Sequence, residues 1–306
     1  MRESDLLRHI YTRSDDLAAA FGDVLVGPGD DAAVVRTSSG DRLVITVDQL
    51  VEGRHYDPAT DLDLVARKAI ARSVSDIAAM GAIPAFGLAT GLIPRGYADA
   101  DDLFDAMAKW ARHWNCPLIG GDIAFAGEGQ PLSMTTTVIG KLDPAANPTL
   151  RSNARPGDEL WLTGQVGGSF ASGWHLRFDP RLAAGLEASK LPRAAAIDLS
   201  DGLGRDAARV AVASNVILEI EAAKLPISHR AKSWRDACAD GEDYELLLAL
   251  PPRPPEAKAP PINTAPTLIG PVGQVRALHP GESPTATITD PHGSTHDAQS
   301  LGWDHE

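Results

Sequence analysis

Seven carboxylates stand out in this chain because each follows or closes a short apolar segment, which predicts that they lie at the ends of strands. They are Asp30 and Asp31 in GPGDDAAVV, Asp48 in LVITVDQL, Asp76 in SVSDIAAMG, Asp122 in LIGGDIA, and Asp198 and Asp201 in AAIDLSDG. Acids gathered at strand ends repel each other unless cations lie among them. A set of oxygen ligands without Cys or His spacing suits Mg²⁺, which a few carboxylates usually hold together with substrate phosphates. The pattern therefore predicts phosphate chemistry that depends on metal ions.

Taken singly, these acids and the other polar candidates have simpler explanations. Two aspartates after Gly29 are more typical of a solvated turn than of a metal site. The recurrence of acids favours a site, because open α/β sheets bind ligands beyond the carboxyl ends of their strands. His55 could be a surface residue, a metal ligand or a substrate contact, and Trp303 could belong to a frayed terminus. The segment QVGGS could hold a phosphate or form a packing turn, and these alternatives stay open at the level of the residues alone.

The composition is that of a globular protein with a sizeable core, and the length of 306 residues favours two domains. The net charge of −13 makes nucleic acid or an anionic membrane a poor partner, whereas divalent cations fit well. Cys116 and Cys238 are the two cysteines, which indicates no disulfide framework and a reducing, cytoplasmic location. The first residues are charged throughout and no apolar run approaches the length of a membrane span, so we expect neither a signal peptide nor an anchor.

Strand and helix patterns alternate along the chain. In the first half, LVITVDQL and LSMTTTVIG predict strands, and apolar residues at helical spacing predict a helix from Asp61 to Met80 that ends at Gly81. The turn-rich segment DPAANPTLRSNARPGD predicts a domain boundary, giving an N-terminal domain over residues 1–146 and a C-terminal domain over 147–306. The second half shows the same alternation of strand and helix patterns. Seven prolines between residues 251 and 266 predict an extended surface connection.

The chain contains neither the phosphate-binding loop GxxxxGK[ST] nor the motif set of protein kinases. A phosphoryl-transfer enzyme with this sequence would have to hold phosphates mainly through metal ions. Such a mechanism is physically adequate, since phosphoryl transfer needs positioning and charge neutralisation more than covalent help.

Eight segments of the chain resemble, in their order, the motifs of the thiamine-monophosphate kinases of the aminoimidazole-ribonucleotide synthetase-like superfamily. These segments are GPGDDAAVV, TVDQLVEGRHY, ARSVSDIAAMGAIP, GGDI, LTGQVGGS, AIDLSDGL, GEDYELLLALP and the terminal GWDH. The resemblance covers nearly the whole chain. It implies ATP-dependent phosphorylation of thiamine monophosphate to thiamine diphosphate by direct in-line transfer, with ATP as co-substrate, several Mg²⁺ ions and no catalytic residue acting as nucleophile or general base. It also implies an α/β (α+β) fold of two domains, in which the N-terminal sheet forms a barrel-like core of a homodimer.

The resemblance also implies roles for individual residues, in three groups. The Mg²⁺ ligands would be Asp30, Thr46, Asp48, Asp76, Asp122, Asp198 and Asp201; the ATP contacts would be Gly121, Asp122, Arg151 and Ser200; and the contacts to the thiamine substrate would be His55, Glu242 and Trp303. The chain departs from the usual motifs at Val47, Ile123, Asp240 and Glu306. Two alternatives remain: a catalytically weak paralogue that binds nucleotide and Mg²⁺, and another phosphate-activating enzyme of the same superfamily.

Overall fold

The structure, a computed structural model, describes residues 3–14, 16–127, 129–254, 257 and 259–303. The residues after Trp303, which complete the terminal GWDH motif and include Glu306, lie outside these ranges. The described chain folds into two mixed sheets with helices packed against them, which confirms the predicted mixed α/β class. None of the helices in these ranges is both long and apolar enough to cross a membrane.

The first sheet has six strands in the order β1-β2-β3-β6-β4-β5. They span Val24–Val26 (β1), Ala33–Arg36 (β2), Arg42–Val51 (β3), Ile83–Pro94 (β4), Leu118–Ala126 (β5) and Ser133–Lys141 (β6). Neighbouring strands are antiparallel except for β4 and β5, which are parallel. Within one copy of the chain this sheet is open, with β1 and β5 at its edges, so the barrel-like core predicted for the dimer is not formed by one chain.

Two helices cover one face of this sheet. Helix α3 (Leu62–Ala79) packs on β3 and β6, and α4 (Ala100–His113) packs beside it; α1 (Glu3–Ser14) and α2 (Leu17–Ala20) precede β1. The Asp61 side chain accepts the Asp63 amide at the start of α3, and Gly81, with φ of 67°, follows the helix end. Both boundaries agree with the helix predicted from the sequence.

The other face of the first sheet carries apolar side chains that remain accessible. Alternate residues of a strand point to opposite faces, and Val47 lies between Thr46 and Asp48, which face α3. Val47 is 63% exposed, and Phe86 and Leu92, on the same outer face of β4, are 39% and 42% exposed. An uncovered apolar face of this kind is typical of a surface that binds another protein chain.

The second sheet has seven strands in the order β13-β12-β9-β11-β7-β10-β8. They span Glu159–Leu162 (β7), Ala195–Asp198 (β8), Ile217–Glu221 (β9), Leu246–Leu250 (β10), Ile269–Arg276 (β11), Thr285–Thr289 (β12) and Thr295–Asp297 (β13). The helices of this half are α5 (Ser169–Ser172), α6 (Leu182–Ser189), α7 (Leu203–Ser214) and α8 (Trp234–Ala239). The segment between the sheets, residues 142–158, contains no strand, which agrees with a boundary near residue 147; the boundary itself stays a prediction.

Candidate functional site

Three carboxylates from distant parts of the chain meet where α3 passes between the two sheets. One oxygen each from Asp31, Asp76 and Asp198 lies within 4.8 Å of the others. Asp31 belongs to the loop before β2, Asp76 to the last turns of α3 and Asp198 to the end of β8. The Thr46 hydroxyl donates to Asp76, and the Ser75 hydroxyl donates to Asp198 at 2.7 Å. Elements of both halves of the chain therefore build this carboxylate triad.

The triad concentrates negative charge in a buried place. Burial, followed by the charges of Asp48, Asp198 and Asp31, raises the pKa of Asp76 well above its ordinary value. Burial and the Asp31 charge likewise raise the pKa of Asp198. A cation bound among the three oxygens would remove this repulsion. Carboxylates and a hydroxyl without nitrogen or sulfur donors are the ligand chemistry that suits Mg²⁺, so the residues present fit the metal that the sequence predicts.

The two adjacent aspartates before β2 have different partners. The Asp30 carboxylate accepts the Arg151 backbone N–H at 3.1 Å, and burial together with the Asp31 charge raises its pKa to about 7. Asp31 instead binds the Arg151 guanidinium through two hydrogen bonds, of 2.7 and 3.2 Å. The seven acids picked out in the sequence include both residues, but the metal ligands that the resemblance implies include Asp30 and not Asp31. The structure brings Asp31 into the triad and places Asp30 beside it.

Three further predicted residues line the same cavity as the triad: Asp48, Ser200 and Asp201. Asp48 accepts a hydrogen bond from Ser73 at 3.1 Å and lies 3.4 Å from the Arg72 guanidinium. Asp201 pairs with Arg209. The cavity has a volume of about 820 Å³, which is ample for a nucleotide or a substrate of similar size.

Gly121 and Asp122 lie elsewhere. Both are exposed on the edge strand β5, and Asp122 pairs through Thr90 and Thr135 with Gln49, the neighbour of Asp48. Three strand spacings separate β5 from β3, or about 14 Å, and the alternation of side chains directs Asp122 to the face opposite Asp48. One copy of the chain therefore does not bring Asp122 together with the other predicted metal ligands.

The prediction that the acids lie at strand ends is wrong for three of them, although the helix predicted from Asp61 to Met80 already contained Asp76. Asp48 is an interior residue of β3, Asp122 is an interior residue of β5, and Asp76 lies within α3. Asp198, the last residue of β8, does occupy a strand end. The rule for open parallel sheets fails here because most neighbouring strands are antiparallel. Side chains reach the site from the face of the first sheet that α3 covers, and not from a common carboxyl edge.

A second group of polar residues surrounds a completely buried ammonium. The Lys68 Nζ lies 2.7 Å from Glu242 Oε2, 2.6 Å from the His55 carbonyl oxygen and 2.6 Å from His175 Nδ1. Burial lowers the pKa of Lys68 to about 8 despite the nearby carboxylate. Burial alone would raise the pKa of Glu242, but the hydrogen bond to His175 and the charge of Lys68 lower it to about 2. The His55 carbonyl and Glu242 accept from this ammonium, while His175 Nδ1 lies within hydrogen-bond distance of both Lys68 and Glu242 and can bond to one of them at a time.

His55 and Trp303 both line the cavity, as the resemblance implies for substrate contacts. His55 Nδ1 accepts the Val51 amide at 2.9 Å, while burial and the charge of Arg72 lower the imidazole pKa to about 4. The ring is therefore neutral at pH 7 with its proton on Nε2. Trp303 is 60% exposed, and its amide donates to the Asp201 carbonyl at 3.0 Å, which fixes the chain at the cavity rim.

The sequence analysis did not name Lys68, Arg72 or His175 as site residues, and the metal ligands that the resemblance implies leave out Asp31. The signal for two of these residues was present, because Lys68, Arg72 and Asp76 recur at intervals of four residues and share one stripe of α3. A stripe of lysine, arginine and aspartate is ordinarily a solvated face, whereas here the C-terminal half packs against it and contacts Lys68 and Asp76. No pattern in the sequence marks His175.

Comparison with known proteins places these observations in a family. Residues 29–142 match the AIR synthase related protein, N-terminal domain. The thiamine-monophosphate kinase of Rhodopirellula baltica is 36% identical over 253 residues, 75% of this chain and 77% of that protein. The thiamine-monophosphate kinase of Bacillus subtilis is 34% identical over 278 residues, 80% of this chain and 82% of its own length.

The fold is also that of a solved structure of AaThiL complexed with AMPPCP and TMP. The two chains superpose with a TM-score of 0.79 at 25% sequence identity, and the match covers 100% of this chain and 99% of the other. Together with the two curated relatives, this likeness confirms the resemblance first drawn from eight short motifs. The chain belongs to the thiamine-monophosphate kinase family.

Proposed function

We propose that this protein transfers the γ-phosphoryl group of ATP to thiamine monophosphate, giving thiamine diphosphate and ADP. The observation that carries the proposal is that the carboxylate triad and the acceptor candidates His55, Glu242 and Trp303 line one cavity. A relative with the same fold is complexed with AMPPCP and TMP, a nucleotide analogue and an acceptor that such a cavity would hold together. The curated relatives support the same activity by name.

The metal-binding part of the cavity would consist of acids from both halves of the chain. Asp31, Asp76 and Asp198 would bind Mg²⁺ directly, and Asp30, Thr46, Asp48 and Asp201 would complete its environment. When bound, Mg²⁺ neutralises phosphate charge and orients the transferred group. Arg151 holds Asp31 in place through its guanidinium, and Arg151 and Ser200 would contact ATP. The protein thus supplies through metal ions what a phosphate-binding loop would supply through backbone N–H groups.

The transfer itself needs little from protein acids or bases. An ionised oxygen of the acceptor phosphate attacks the γ-phosphorus in line, the bond from that phosphorus to the bridging β,γ-oxygen breaks, and ADP leaves with the electron pair. No proton has to be removed from the nucleophile at neutral pH, so no general base is required and no phosphoenzyme forms. The chain's contribution is to hold the two phosphates in line and to exclude competing water.

The acceptor end of the cavity would recognise thiamine monophosphate through three residues. The neutral His55 offers an Nε2–H donor, because its Nδ1 is occupied by the Val51 amide. Glu242 remains ionised because Lys68 and His175 lower its pKa. Trp303 offers an exposed aromatic face for a flat cationic ring.

We also propose that the protein acts as a homodimer, as the resemblance implies. The outer face of the first sheet exposes Val47, Phe86 and Leu92, and the edge strand β5 exposes Ile123 and Phe125. A second copy would cover these side chains and complete a barrel-like core. The same arrangement would give Gly121 and Asp122 a role, since they could reach the cavity of the partner although they do not reach their own. A cytoplasmic location is consistent with Cys116 and Cys238 being unpaired and buried.

One assay tests the proposed activity. Purified protein with Mg²⁺ and ATP is given thiamine monophosphate, free thiamine or no acceptor, and ADP release is measured. We expect turnover with thiamine monophosphate and little with thiamine, which lacks the attacking phosphate. Equal turnover of both acceptors would refute the proposal. Binding of ATP without ADP release under any condition would instead identify a nucleotide-binding paralogue without kinase activity.

A further inference from the structure

A half-exposed aromatic ring lies in the cavity at a position that neither the motifs nor the proposed mechanism uses. Phe170 is 50% exposed and lines the cavity together with Glu242 and His55. It belongs to the four-residue helix α5, which is flanked by Gly168 and Gly173 with φ of 72° and 71°. A Cβ on Gly168 would lie 2.5 Å from the Arg230 backbone, so the turn that presents Phe170 depends on these glycines.

One face of the Phe170 ring is covered by a rigid support. The ring stacks on His175, with 4.5 Å between centroids and 22° between planes. His175 is 4% exposed, and its Nδ1 is held by the buried Lys68 ammonium, which itself lies 5.8 Å from the Phe170 centroid. The same ammonium binds Glu242 and the His55 carbonyl. The position of Phe170 is therefore tied to the two residues proposed to recognise the acceptor.

The opposite face of the ring is left for a ligand. His175 covers one face, half of the side chain is still accessible, and Phe170 lines the cavity, so accessible ring surface borders a cavity that charged groups otherwise dominate. Exposing an aromatic face costs hydrophobic free energy that a flat ligand would recover. Phe170 is connected through His175 and Lys68 to Glu242 and His55, the proposed acceptor contacts, which favours the acceptor over the adenine of ATP.

From this geometry we propose that Phe170 is an aromatic platform on which the flat heteroaromatic part of the acceptor stacks. The proposal rests on the proposed function and extends it, because it assigns acceptor affinity to a residue outside the matched motifs. Phe170 would be a binding residue and not a catalytic one: it has no group that could take part in phosphoryl transfer. Its loss should therefore affect binding of the acceptor and leave turnover at saturation intact.

The test compares Phe170→Ala, Phe170→Leu and Phe170→Tyr with the wild type. Leucine keeps the apolar bulk without a flat face, and tyrosine keeps the flat face. We expect the alanine and leucine variants to raise KM for thiamine monophosphate about 3- to 30-fold, with kcat and KM for ATP within about twofold, and the tyrosine variant to stay close to wild type. The matched control is Phe21→Ala, a phenylalanine that is 61% exposed and lies outside the residues lining the cavity; it should change none of these constants.

Calorimetric titration of each protein with thiamine monophosphate, in Mg²⁺ and AMPPCP, separates this proposal from the proposed activity. If the wild type binds thiamine monophosphate without turning it over, the kinase assignment fails, while weaker binding by Phe170→Ala still supports the platform. If the wild type turns over normally and all Phe170 variants keep its acceptor KM, the platform is refuted and the kinase stands. A rise in KM for ATP alone would assign Phe170 to the adenine instead and refute the proposal. Absence of both binding and turnover in the wild type would overturn both proposals.

Discussion

Replacing Lys68 with methionine removes the positive charge from the centre of the acceptor network while keeping the length of the side chain. The Lys68 side chain is 0% exposed and that of Glu242 is 16% exposed, so the carboxylate would be left buried without its cation. Breaking a buried pair in this way costs about 3–5 kcal/mol, because the remaining charge is uncompensated. The His55 carbonyl also loses a donor, at about 1 kcal/mol. The expected loss is a large part of the roughly 5–15 kcal/mol by which a native domain is stable.

A double-mutant cycle separates the contribution of the Lys68 charge to stability from the contribution of the packing of its side chain. In Lys68→Met with Glu242→Gln no unpaired carboxylate remains, so we expect the double variant to be more stable than Lys68→Met alone by about 2 kcal/mol. The free energy of unfolding would be measured by urea denaturation at one pH and salt concentration. Lys190→Met is the matched control, since its pair with Glu187 is exposed and should contribute less than about 1 kcal/mol.

Two results would refute this reasoning about Lys68. The first is a loss of stability in Lys68→Met no larger than that in Lys190→Met, which would mean that the buried ammonium does not hold the network together. The second is strict additivity of the Lys68 and Glu242 substitutions, which would mean that the two charges do not interact despite their 2.7 Å separation.

Three further predictions follow from the same structure. Asp76→Asn should lower turnover at least about 100-fold. With metal ions removed by a chelator at pH 8, the same variant should have a higher melting temperature than the wild type, because it lacks one of the mutually repelling carboxylates; a lower melting temperature would contradict the triad. The pKa of Glu242 is lowered from 4.5 to about 2, so its carboxylate stabilises the fold fully above about pH 4.5 and loses that effect as the pH falls towards 2. The difference in unfolding free energy between wild type and Glu242→Gln should therefore shrink over this pH range. A constant difference, measured by urea denaturation, would refute the lowered pKa. Phe86→Glu should convert a dimer into a monomer in analytical sedimentation, and a wild type that sediments as a monomer at micromolar concentration would exclude the proposed dimer.

Much of the fold could be predicted from the sequence, because the residue patterns that indicate helices and strands are local. The helix from Asp61 to Met80 was predicted by its apolar spacing and by Gly81, and the observed helix α3 agrees with it. The family could be predicted for a different reason. Each of the eight short motifs is weak evidence alone, but their occurrence together in a fixed order is specific for the family. The comparisons with known proteins confirm that interpretation.

The sequence predicted the chemical type of the candidate site residues but not their arrangement in space. The sequence predicted acids that bind a metal, but the choice between Asp30 and Asp31 depends on which carboxylate faces α3 and which accepts the Arg151 amide. Likewise, the separation of Asp122 from Asp48 follows from the strand order of the first sheet, which links residues far apart in the chain. Packing between helices and strands decides contacts of this kind. The spacing of residues along one helix or strand carries no information about that packing.

The sequence by itself determined the residue types and the elements that carry them: oxygen ligands for a hard cation, a polar stripe on α3 and strands rich in apolar residues. Only the tertiary structure decided that the stripe is buried. Lys68, Arg72 and Asp76 would be an ordinary solvated face on an isolated helix, but the C-terminal half packs over them and brings Glu242, His175 and Asp198 within reach. Burial removes the water that would otherwise solvate these charges, so they must bind one another, a cation or a substrate, and this requirement makes the helix face a candidate site.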